Sequence, residues 1–435
     1  MLMIDLIYKI QGTERIQAIH LNAYDGQTYT NEHFKNLQSL RFLRLRGAAL
    51  SVDFNKWFSK LRWLRWFGLS CSAINLHLPK LVVLELPDSK ITEHWGGWSS
   101  IKAKRLKVLD LANCDYIRST PNLSVFKELE ILILRSCSRL EQVHPSIGEV
   151  KGLISLDLSS CESLKELPKE VEKLEELKEL LLDHSSVTKI PVSIGSLSNL
   201  EKISAIHCSS LREIPSSIWN LQNLRHMNFC SSAIEKFGTL KEPHLSAFTK
   251  SKYCDKLEQV HPSIGILKGL ISLDLRFCKS LKELPKEVGE LEELKELILD
   301  HASIIKIPMS ISSLRKLEKL SAKRCSSLRE IPNSIGDLQS LQHLDLTGPA
   351  IERLPSSIGD LQSLQHLNLS GSTIERLPSS IGDLQSLQHL DLTDSAIKRL
   401  PSSIGDLQSL QHLDLSGSTI KRLPSSIVVM DRFIT

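Results

Sequence analysis

The second half of this chain repeats itself every 23 residues. Five prolines, Pro332, Pro355, Pro378, Pro401 and Pro424, keep that spacing, and the text between them changes little from one copy to the next. A period of 20–29 residues with the pattern L-x-x-L-x-L-x-x-(N/C) predicts a stack of coils in which each coil contacts only its neighbours. The length of 435 residues therefore reflects the number of stacked coils and does not imply several separate globular domains.

Seventeen segments match L-x-x-L-x-L and predict one strand each. They start at Ile16, Leu40, Leu61, Leu81, Leu106, Leu129, Leu153, Leu177, Leu200, Leu224, Leu270, Leu294, Leu317, Leu341, Leu364, Leu387 and Leu410. Residues alternate between the two faces of a strand, so the leucines point inward and the residues beside them face outward. The following x-L-P-x-S-I-G-x-L predicts a return in which proline ends the strand side and serine caps a short helical turn.

The predicted fold is an α/β leucine-rich-repeat solenoid, a horseshoe with a parallel β-sheet on its concave face. We divide the chain into a leader (1–14), an array of divergent repeats (15–237), a degenerate join (238–256), an array of regular repeats (257–427) and a tail (428–435). The last unit ends without an obvious polar cap, and solenoids need such caps. We therefore expect the chain to be part of something longer.

A larger duplication overlies the short repeat. Residues 140–218 recur at 257–335, an offset of 117, with 60 of 79 positions identical. Many differences fall on outward positions: Ser159 becomes Arg276, Ser160 becomes Phe277, and Ile206 becomes Lys323. Two interpretations stay open, free drift of the surface and a changed binding face on an unchanged core.

The join between the two copies has lost its inward apolar residues. At the same offset, Leu129, Leu132 and Leu134 become Ser246, Thr249 and Ser251. Three polar side chains at inward positions cannot support a well-packed coil. We predict a loop or a distorted unit there.

Composition argues against several classes of function. A net charge of +4 with 5% aromatic residues gives neither the basic stripe nor the stacking platforms of a nucleic-acid binder. No apolar run approaches the ~20 residues of a membrane helix, and the short N-terminal apolar stretch lacks a cleavage site. The sequence offers no catalytic constellation, metal cluster or cofactor motif, so we expect a binding protein rather than an enzyme.

Seven of the nine cysteines occupy one repeated position, the last letter of L-x-L-x-x-C. They are Cys114, Cys137, Cys161, Cys208, Cys254, Cys278 and Cys325, and we expect an inward ladder of free thiols that can donate to backbone carbonyls. Paired-cysteine caps are missing, which favours a reducing, cytoplasmic (also nuclear) location. Cys71 and Cys230 fall outside this column, and we expect Cys230 to face outward.

The first third carries more specific motifs. They are Gly12-Thr13-Glu14, F-x-x-L-x-x-L-R-x-L at 34–43, L-R-W-L-x-W at 61–66, D-S-K-I-T-x-x-W at 88–95 and LEQVHPSIG at 140–148. This run resembles the repeat region of plant intracellular immune receptors of the TIR–nucleotide-binding–leucine-rich-repeat class. The sequence contains no G-x-x-x-x-G-K-(S/T) phosphate loop, and eleven residues precede Gly12, so we expect neither the nucleotide chemistry nor a TIR domain in this sequence.

The resemblance implies a sensor module without the nucleotide chemistry. Its partners would be proteins: the nucleotide-binding switch domain of a receptor, and a pathogen effector or a guarded host protein. An alternative from another class is an intracellular signalling scaffold that holds a GTPase and a phosphatase together. The regular late repeats fit both functions, and the first 220 residues favour the receptor.

Three outward groups are the candidate sites, one of them being Arg276, Phe277 and Lys323, where the second copy of the duplication differs from the first. The first coils present arginines and aromatic residues, which are typical anchors of protein interfaces but could also simply cap the stack. The late coils align four histidines beside Asp or Asn, which would permit a metal site or a pH response, although identical repeats align identical residues whatever their use. The residues that we predict to contact proteins are Phe42, Arg44, Arg46, Trp63, Arg65, Phe67, Arg276, Phe277, Lys323, His343, Asp345, His366, Asn368, His389, Asp391, His412 and Asp414.

Overall fold

A computed structural model describes residues 16–22, 28–35, 37–47, 49–52, 54–70, 76–237 and 257–429. The chain divides into two units, unit 1 with residues 1–200 and unit 2 with residues 201–435. The predicted leader, the degenerate join at 238–256, the end of the tail, Cys71 and Cys254 lie outside the described residues.

Unit 1 carries a parallel sheet with one strand from each coil. Its strands are β1 (Ala18–Asn22), β3 (Phe42–Arg46), β5 (Trp63–Phe67), β6 (Val83–Glu85), β7 (Val108–Asp110), β8 (Ile131–Ile133), β9 (Ser155–Asp157) and β10 (Glu179–Leu181). A second, two-stranded parallel sheet pairs β2 (Thr28–Thr30) with β4 (Ala49–Ser51). The helices of unit 1 are α1 (Asn31–Phe34), α2 (Phe54–Trp57) and α3 (Gly97–Ser100), followed by 3-10 helices at Leu123–Val125, Pro145–Glu149, Lys169–Lys173 and Val192–Ser196.

Unit 2 repeats this plan with greater regularity. Its main sheet contains β11 (Lys202–Ser204), β13 (His226–Asn228), β15 (Ser272–Asp274), β16 (Glu296–Ile298), β17 (Lys319–Ser321), β18 (His343–Asp345), β19 (His366–Asn368), β20 (His389–Asp391) and β21 (His412–Asp414). A short parallel pair, β12 (Glu213–Ile214) and β14 (Lys236–Phe237), lies apart from it. Each of the seventeen predicted strand positions therefore carries a strand, and the predicted solenoid is confirmed.

The main sheet of unit 2 continues across the duplication join. Strand β13 pairs directly with β15, and the side-chain amide of Asn228 donates to the carboxylate of Asp274 at 3.1 Å, although the two residues are 46 positions apart. Other neighbouring strands come from residues 23 or 24 positions apart. The join thus leaves the register of the sheet intact.

The returns of unit 2 are 3-10 helices, and serine does not cap them. They span Ser216–Asn220, Pro262–Ile266, Lys286–Glu290, Met309–Ser313, Asn333–Asp337, Ser356–Asp360, Ser379–Asp383, Ser402–Asp406 and Ser425–Val429. At Ser356–Asp360 the capping position is Pro355, which has no side-chain donor or acceptor, so the predicted serine cap is wrong there. Three serine hydroxyls of these returns, at Ser310, Ser380 and Ser426, bond to the neighbouring coil instead; Ser380 Oγ donates to the backbone carbonyl of Ser356 at 2.6 Å.

A left-handed residue follows almost every strand. In three late coils this residue is glycine, at 348, 371 and 417; in most other coils it is another residue, including Phe277, His301 and Arg324, with φ between +52° and +71°. Glycine adopts this conformation without steric cost, whereas a bulky side chain is strained there. The turn is part of the fold itself, and several coils keep a large side chain on it.

The core is a column of inward leucines and small residues. Leu64, Leu156, Leu273 and Leu367 are all at most 1% exposed. The thiols of Cys114, Cys137, Cys161 and Cys325 donate to strand-end carbonyls 26–28 residues earlier, at 3.0–3.3 Å. The inward position is confirmed for the six cysteines of the column that are described, all of which are thiols rather than disulfides.

The prediction that Cys230 faces outward is wrong. Cys230 is 4% exposed, because strand β13 ends at Asn228 and the chain turns inward directly afterwards. Its backbone N–H donates to Asn228 Oδ1 at 3.0 Å. The position equivalent to the cysteine column is Ser232, whose hydroxyl donates to the carbonyl of Ala205 in the same way.

Candidate functional site

The outward residues of β3 and β5 lie where the alternation predicted. Between them, Leu43, Leu45, Leu64 and Trp66 are buried, while Phe42 is 44% exposed. The six outward side chains form what we call the aromatic–arginine cluster: Phe42, Arg44, Arg46, Trp63, Arg65 and Phe67. This part of the site was predictable because the strand period fixes which face each residue occupies.

Three guanidinium groups of the cluster surround one aromatic ring. The distances from Cζ to the centroid of Phe67 are 5.8 Å for Arg44, 5.6 Å for Arg46 and 4.7 Å for Arg65. A cation within about 6 Å of an aromatic face is attracted by the ring quadrupole. Phe42 and Trp63 sit beside each other with centroids 6.4 Å apart. The arginine side chains thus pack against Phe67, and Phe42 packs against Trp63, on a face that solvent can reach.

A different set of aromatic residues fills the interior of the first coils. Phe34 and Phe58 pack edge to face at 5.0 Å, and Phe54 contacts Phe58 at 5.1 Å and Trp66 at 6.4 Å. These four rings are at most 5% exposed. Interior packing therefore does not account for Phe42 or Trp63, which lie on the outward face.

The charge on the strand face changes sign after β5. Arg65 Nη1 lies 3.1 Å from Glu85 Oε2, and Asp110 follows Glu85 in register. Burial raises the pKa of Glu85 against the opposing effect of Arg65, and burial likewise raises the pKa of Asp110 against a hydrogen bond from the N–H of Ala112. The face thus places partly desolvated carboxylates directly beside a cationic patch.

An apolar row that was not predicted from the sequence crosses five strands. Its members, which we call the apolar stripe, are Phe42, Trp63, Val83, Val108 and Ile131, each opposite the next in strand register. Val83, Val108 and Ile131 are partly exposed rather than buried. Each member of the stripe stands directly before the second leucine of the L-x-x-L-x-L segment. The sequence did not reveal the row, because a single valine or isoleucine at that position is also what an ordinary β-strand contains.

In unit 2 the outward residues line a groove of about 720 Å³ on the face of β15–β20. Two predicted cations line it, and both are ion-paired. Arg276 donates to Asp274 through Nε at 3.0 Å and Nη2 at 2.6 Å, and Lys323 Nζ lies 3.1 Å from Asp345 Oδ2. Two of the three lining cations are therefore paired with carboxylates of the same face, and the lining contains five carboxylates in all.

Phe277 occupies a turn rather than a strand. Its φ is +62°, and its ring stacks on His301 of the next coil with centroids 4.6 Å apart and planes 12° from parallel. His301 is also left-handed, with φ +59°. The stack lies on the edge where the strands end, which the sequence could not show.

The four late histidines form a stacked ladder. Neighbouring rings of His343, His366, His389 and His412 lie 4.4–4.5 Å apart and 9–14° from parallel. Burial, with the neighbouring imidazoles, lowers the pKa of His366 and of His389. Nitrogen lone pairs lie in the ring plane, so stacked rings direct them side by side and not at one metal ion. Among the described residues, no group of three or more His, Cys, Asp or Glu is placed to hold a metal.

The Asp/Asn column beside the histidines has a structural function. Asp345, Asn368, Asp391 and Asp414 each use Oδ1 to accept the N–H of the residue two positions on, at 2.9–3.1 Å. Such bonds close the turn after the strand. Oδ1 of each of these residues is thus occupied by the fold, and in Asp345 the second oxygen, Oδ2, lies 3.1 Å from Lys323 Nζ.

Comparison with known proteins agrees with this architecture. The leucine-rich repeat region family matches residues 98–251, 251–348 and 322–395, more than half of the chain. Disease resistance protein RPV1 of Vitis rotundifolia is 36% identical over 94 residues, 21% of this chain and 7% of that protein. Disease resistance protein RPS6 of Arabidopsis thaliana is 29% identical over 157 residues, 33% of this chain and 14% of that protein. The chain thus aligns with a small part of these relatives.

Solved structures show the same fold. A leucine-rich-repeat protein of Leptospira interrogans superposes with a TM-score of 0.73 at 25% identity, covering 94% of this chain and 99% of that one. Toll in complex with Spatzle superposes with a TM-score of 0.64 at 15% identity, covering 89% and 55%. In the part of the chain that the structure describes, no helix has the length and apolarity to cross a bilayer. The chain belongs to the leucine-rich-repeat family, and its repeats resemble those of plant disease resistance proteins.

Proposed function

We propose that this chain is the recognition and autoregulatory module of a plant intracellular immune receptor and acts by binding proteins. The observation that carries the proposal is the aromatic–arginine cluster, where Arg44, Arg46 and Arg65 share one ring on an accessible face. Tryptophan and arginine are the residues most enriched at the energetic centres of protein interfaces. The resemblance of the repeats to disease resistance proteins supplies the biological setting.

The two units support different partners in this proposal. The face of unit 1 contacts the nucleotide-binding switch domain and restrains it in the resting receptor. The groove of unit 2, with its paired charges and its Phe277–His301 stack, recognises a pathogen effector or a guarded host protein in the cytoplasm or nucleus. The chain itself contributes binding and no chemistry.

The test is capture of a separately expressed nucleotide-binding domain from a matching receptor. We expect the native chain to retain that domain and the double variant Arg44→Glu/Arg65→Glu to lose it, since charge reversal replaces attraction with repulsion at the contact. The matched control is Lys104→Glu/Arg105→Glu, which reverses two exposed charges of unit 1 outside the strand face. Circular dichroism establishes that all three proteins are folded.

Failure of the well-folded native chain to capture the domain would contradict the receptor function. Equal loss in the control variant would show that the effect depends on net charge alone. Capture of a GTPase–phosphatase pair in place of the switch domain would favour the signalling scaffold.

A further inference from the structure

We propose that the apolar stripe of unit 1 binds an amphipathic helix of a partner protein, laid across the strands with its acidic residues over β3 and β5. The inference rests on the proposed protein-binding function and names the chemistry of the partner. It uses three residues, Val83, Val108 and Ile131, that lie outside the aromatic–arginine cluster.

The stripe is continuous and has two defined ends. Phe42 pairs in register with Trp63, and the row runs on through Val83 and Val108 to Ile131. Before Phe42 the same position is Ala18, and after Ile131 it is Ser155. Five apolar side chains thus lie side by side on an outward face, each of them at least partly exposed among the residues that the structure describes.

The spacing of the stripe matches a helix better than an extended segment. Neighbouring strands lie ~4.8 Å apart, so four intervals span about 19 Å. A helix returns to the same face every 5.4 Å, and about 13 helical residues cover that length. An extended chain presents side chains on one face ~6.7 Å apart, a spacing that differs more from the ~4.8 Å between neighbouring strands than the helical repeat does. A helix can therefore place roughly one apolar residue on each coil.

The charges beside the stripe define which end of the helix is acidic. The adjacent outward row runs Arg44, Arg65, Glu85 and Asp110 in strand register. On the other side of the stripe Arg41 and Arg62 are exposed. The β3–β5 end is thus cationic on both sides, which favours carboxylates of the partner there.

The far end of the stripe is electrostatically different. On one side Lys107 Nζ pairs with Glu130 Oε1 at 2.5 Å, and on the other lies the Asp110 carboxylate, whose pKa is raised by burial. A basic residue of the partner beside Asp110 stabilises that charge. The partner helix is therefore amphipathic around its axis and also segregated in charge along it.

The test uses a synthetic 14-residue helix with one apolar face, glutamates in one half and lysines in the other. Its binding to the full chain is followed by fluorescence anisotropy. We expect Val108→Lys to weaken binding by about tenfold or more, because it places a charge in the middle of the apolar contact. The matched control, Val125→Lys, alters a valine that is 52% exposed in the return helix Leu123–Val125 and should bind as the native chain does.

Two further probes separate the apolar and charged contributions. A peptide of the same composition with its apolar residues scattered around the helix should not bind. A peptide with its glutamates replaced by lysine should bind weakly to the native chain and regain affinity for Arg44→Glu. Should Val108→Lys fail to fold, Ile131→Ser serves at the end of the stripe.

Each contrary outcome is distinct. Equal binding of the ordered and scattered peptides would overturn the inference, as would an undiminished affinity of Val108→Lys. Self-association of the chain that Val108→Lys abolishes would assign the stripe to a second copy instead. Capture of the switch domain with no peptide binding would overturn this inference alone, and peptide binding without capture would leave it standing while the proposed function fails.

Discussion

The strands β3–β8 of unit 1 and β18–β21 of unit 2 share the same buried leucines and parallel pairing, but their outward residues differ. Leu64 in the first region and Leu367 in the second are both at most 1% exposed, and the strands of both regions pair in parallel register. In unit 1 no two successive coils present the same set of outward side chains, although single residues recur, as Arg44 opposite Arg65 does. In unit 2 four successive coils present the same Gln-His-Leu-Asp/Asn segment.

The difference shows where a solenoid can encode specificity. A ligand that fits one late coil fits the next one equally well, because the same groups recur at every step. The varied coils of unit 1 define a single position for a ligand along the stack. Within unit 2 the coils before β18 break the repetition, and among them β15–β17 bring Arg276, Ile298 and Lys323 to the groove. We therefore locate selective recognition in the irregular coils of each unit.

The largest expected effect comes from removing a core leucine, and it shows whether the cores behind β3–β8 and β18–β21 are equally well packed. Leu64→Ala and Leu367→Ala each remove a buried side chain and should each lower the free energy of unfolding by about 2–5 kcal/mol. The measurement is urea denaturation of the full chain, followed by circular dichroism. Gln411→Ala, at an exposed position, should change stability by less than about 0.5 kcal/mol. A loss below about 1 kcal/mol at only one of the two leucines would show that its region is loosely packed.

An intermediate effect distinguishes the return sides of the two regions. A Cβ on Gly359 would lie closer than 3.0 Å to the backbone oxygen of Ser380, whereas one on Gly148 would lie 3.1 Å from its nearest neighbours. We expect Gly359→Ala to lower the free energy of unfolding by about 1–3 kcal/mol through overpacking. Gly148→Ala should cost less, because its neighbours need to move by only a few tenths of an ångström.

The same urea experiment reports both glycine variants. Ser356→Ala, in the same return helix as Gly359, is the control and should leave the midpoint nearly unchanged. The reverse order, with Gly148→Ala costing more, would mean that the late coils are not stacked as tightly as the structure has them.

Periodicity made most of the scaffold predictable from sequence. The spacing of the leucines located the seventeen strands of the main sheets but not the short pairs β2–β4 and β12–β14. The L-x-L alternation placed Phe42, Arg44 and Trp63 on the outward face. These inferences succeed because a repeated coil has one inside and one period. The cysteine column followed from the same argument and is confirmed where it is described.

Contacts between coils could not be read from one strand at a time. The stack of Phe277 on His301 joins two left-handed residues of neighbouring coils. The burial of Cys230 and the pairing of Arg276 with Asp274 arise where the chain leaves the strand, beyond the reach of the L-x-L alternation. The apolar stripe was missed for a related reason. It exists only when residues some 20–25 positions apart are aligned side by side, and in sequence each member is a single apolar residue. The function of both faces in binding stays a prediction.

The smallest expected effect concerns the histidine ladder, which the varied coils lack. Burial and the neighbouring imidazoles lower the pKa of His366 and of His389 in the folded chain. Below the ordinary value of ~6.5 the unfolded chain therefore binds more protons than the folded one. The stabilising contribution is complete above that pH and is lost as the pH falls from ~6.5 through the lowered pKa values of the folded state.

Proton NMR titration of the imidazole rings measures this directly. The midpoints of His366 and His389 should fall below ~6.5, and His366→Gln should raise the midpoint of His389, because one of the imidazolium neighbours that disfavours its protonation is gone. The variant should also show a smaller loss of thermal stability between about pH 7.5 and 5.5 than the native chain. A His389 midpoint that is unchanged in the variant would mean that the rings titrate independently. The histidines of the late coils would then be stacked without influencing each other's protonation. The strand face of unit 1, where Arg65 pairs with Glu85, would differ from them in electrostatics as well as in sequence.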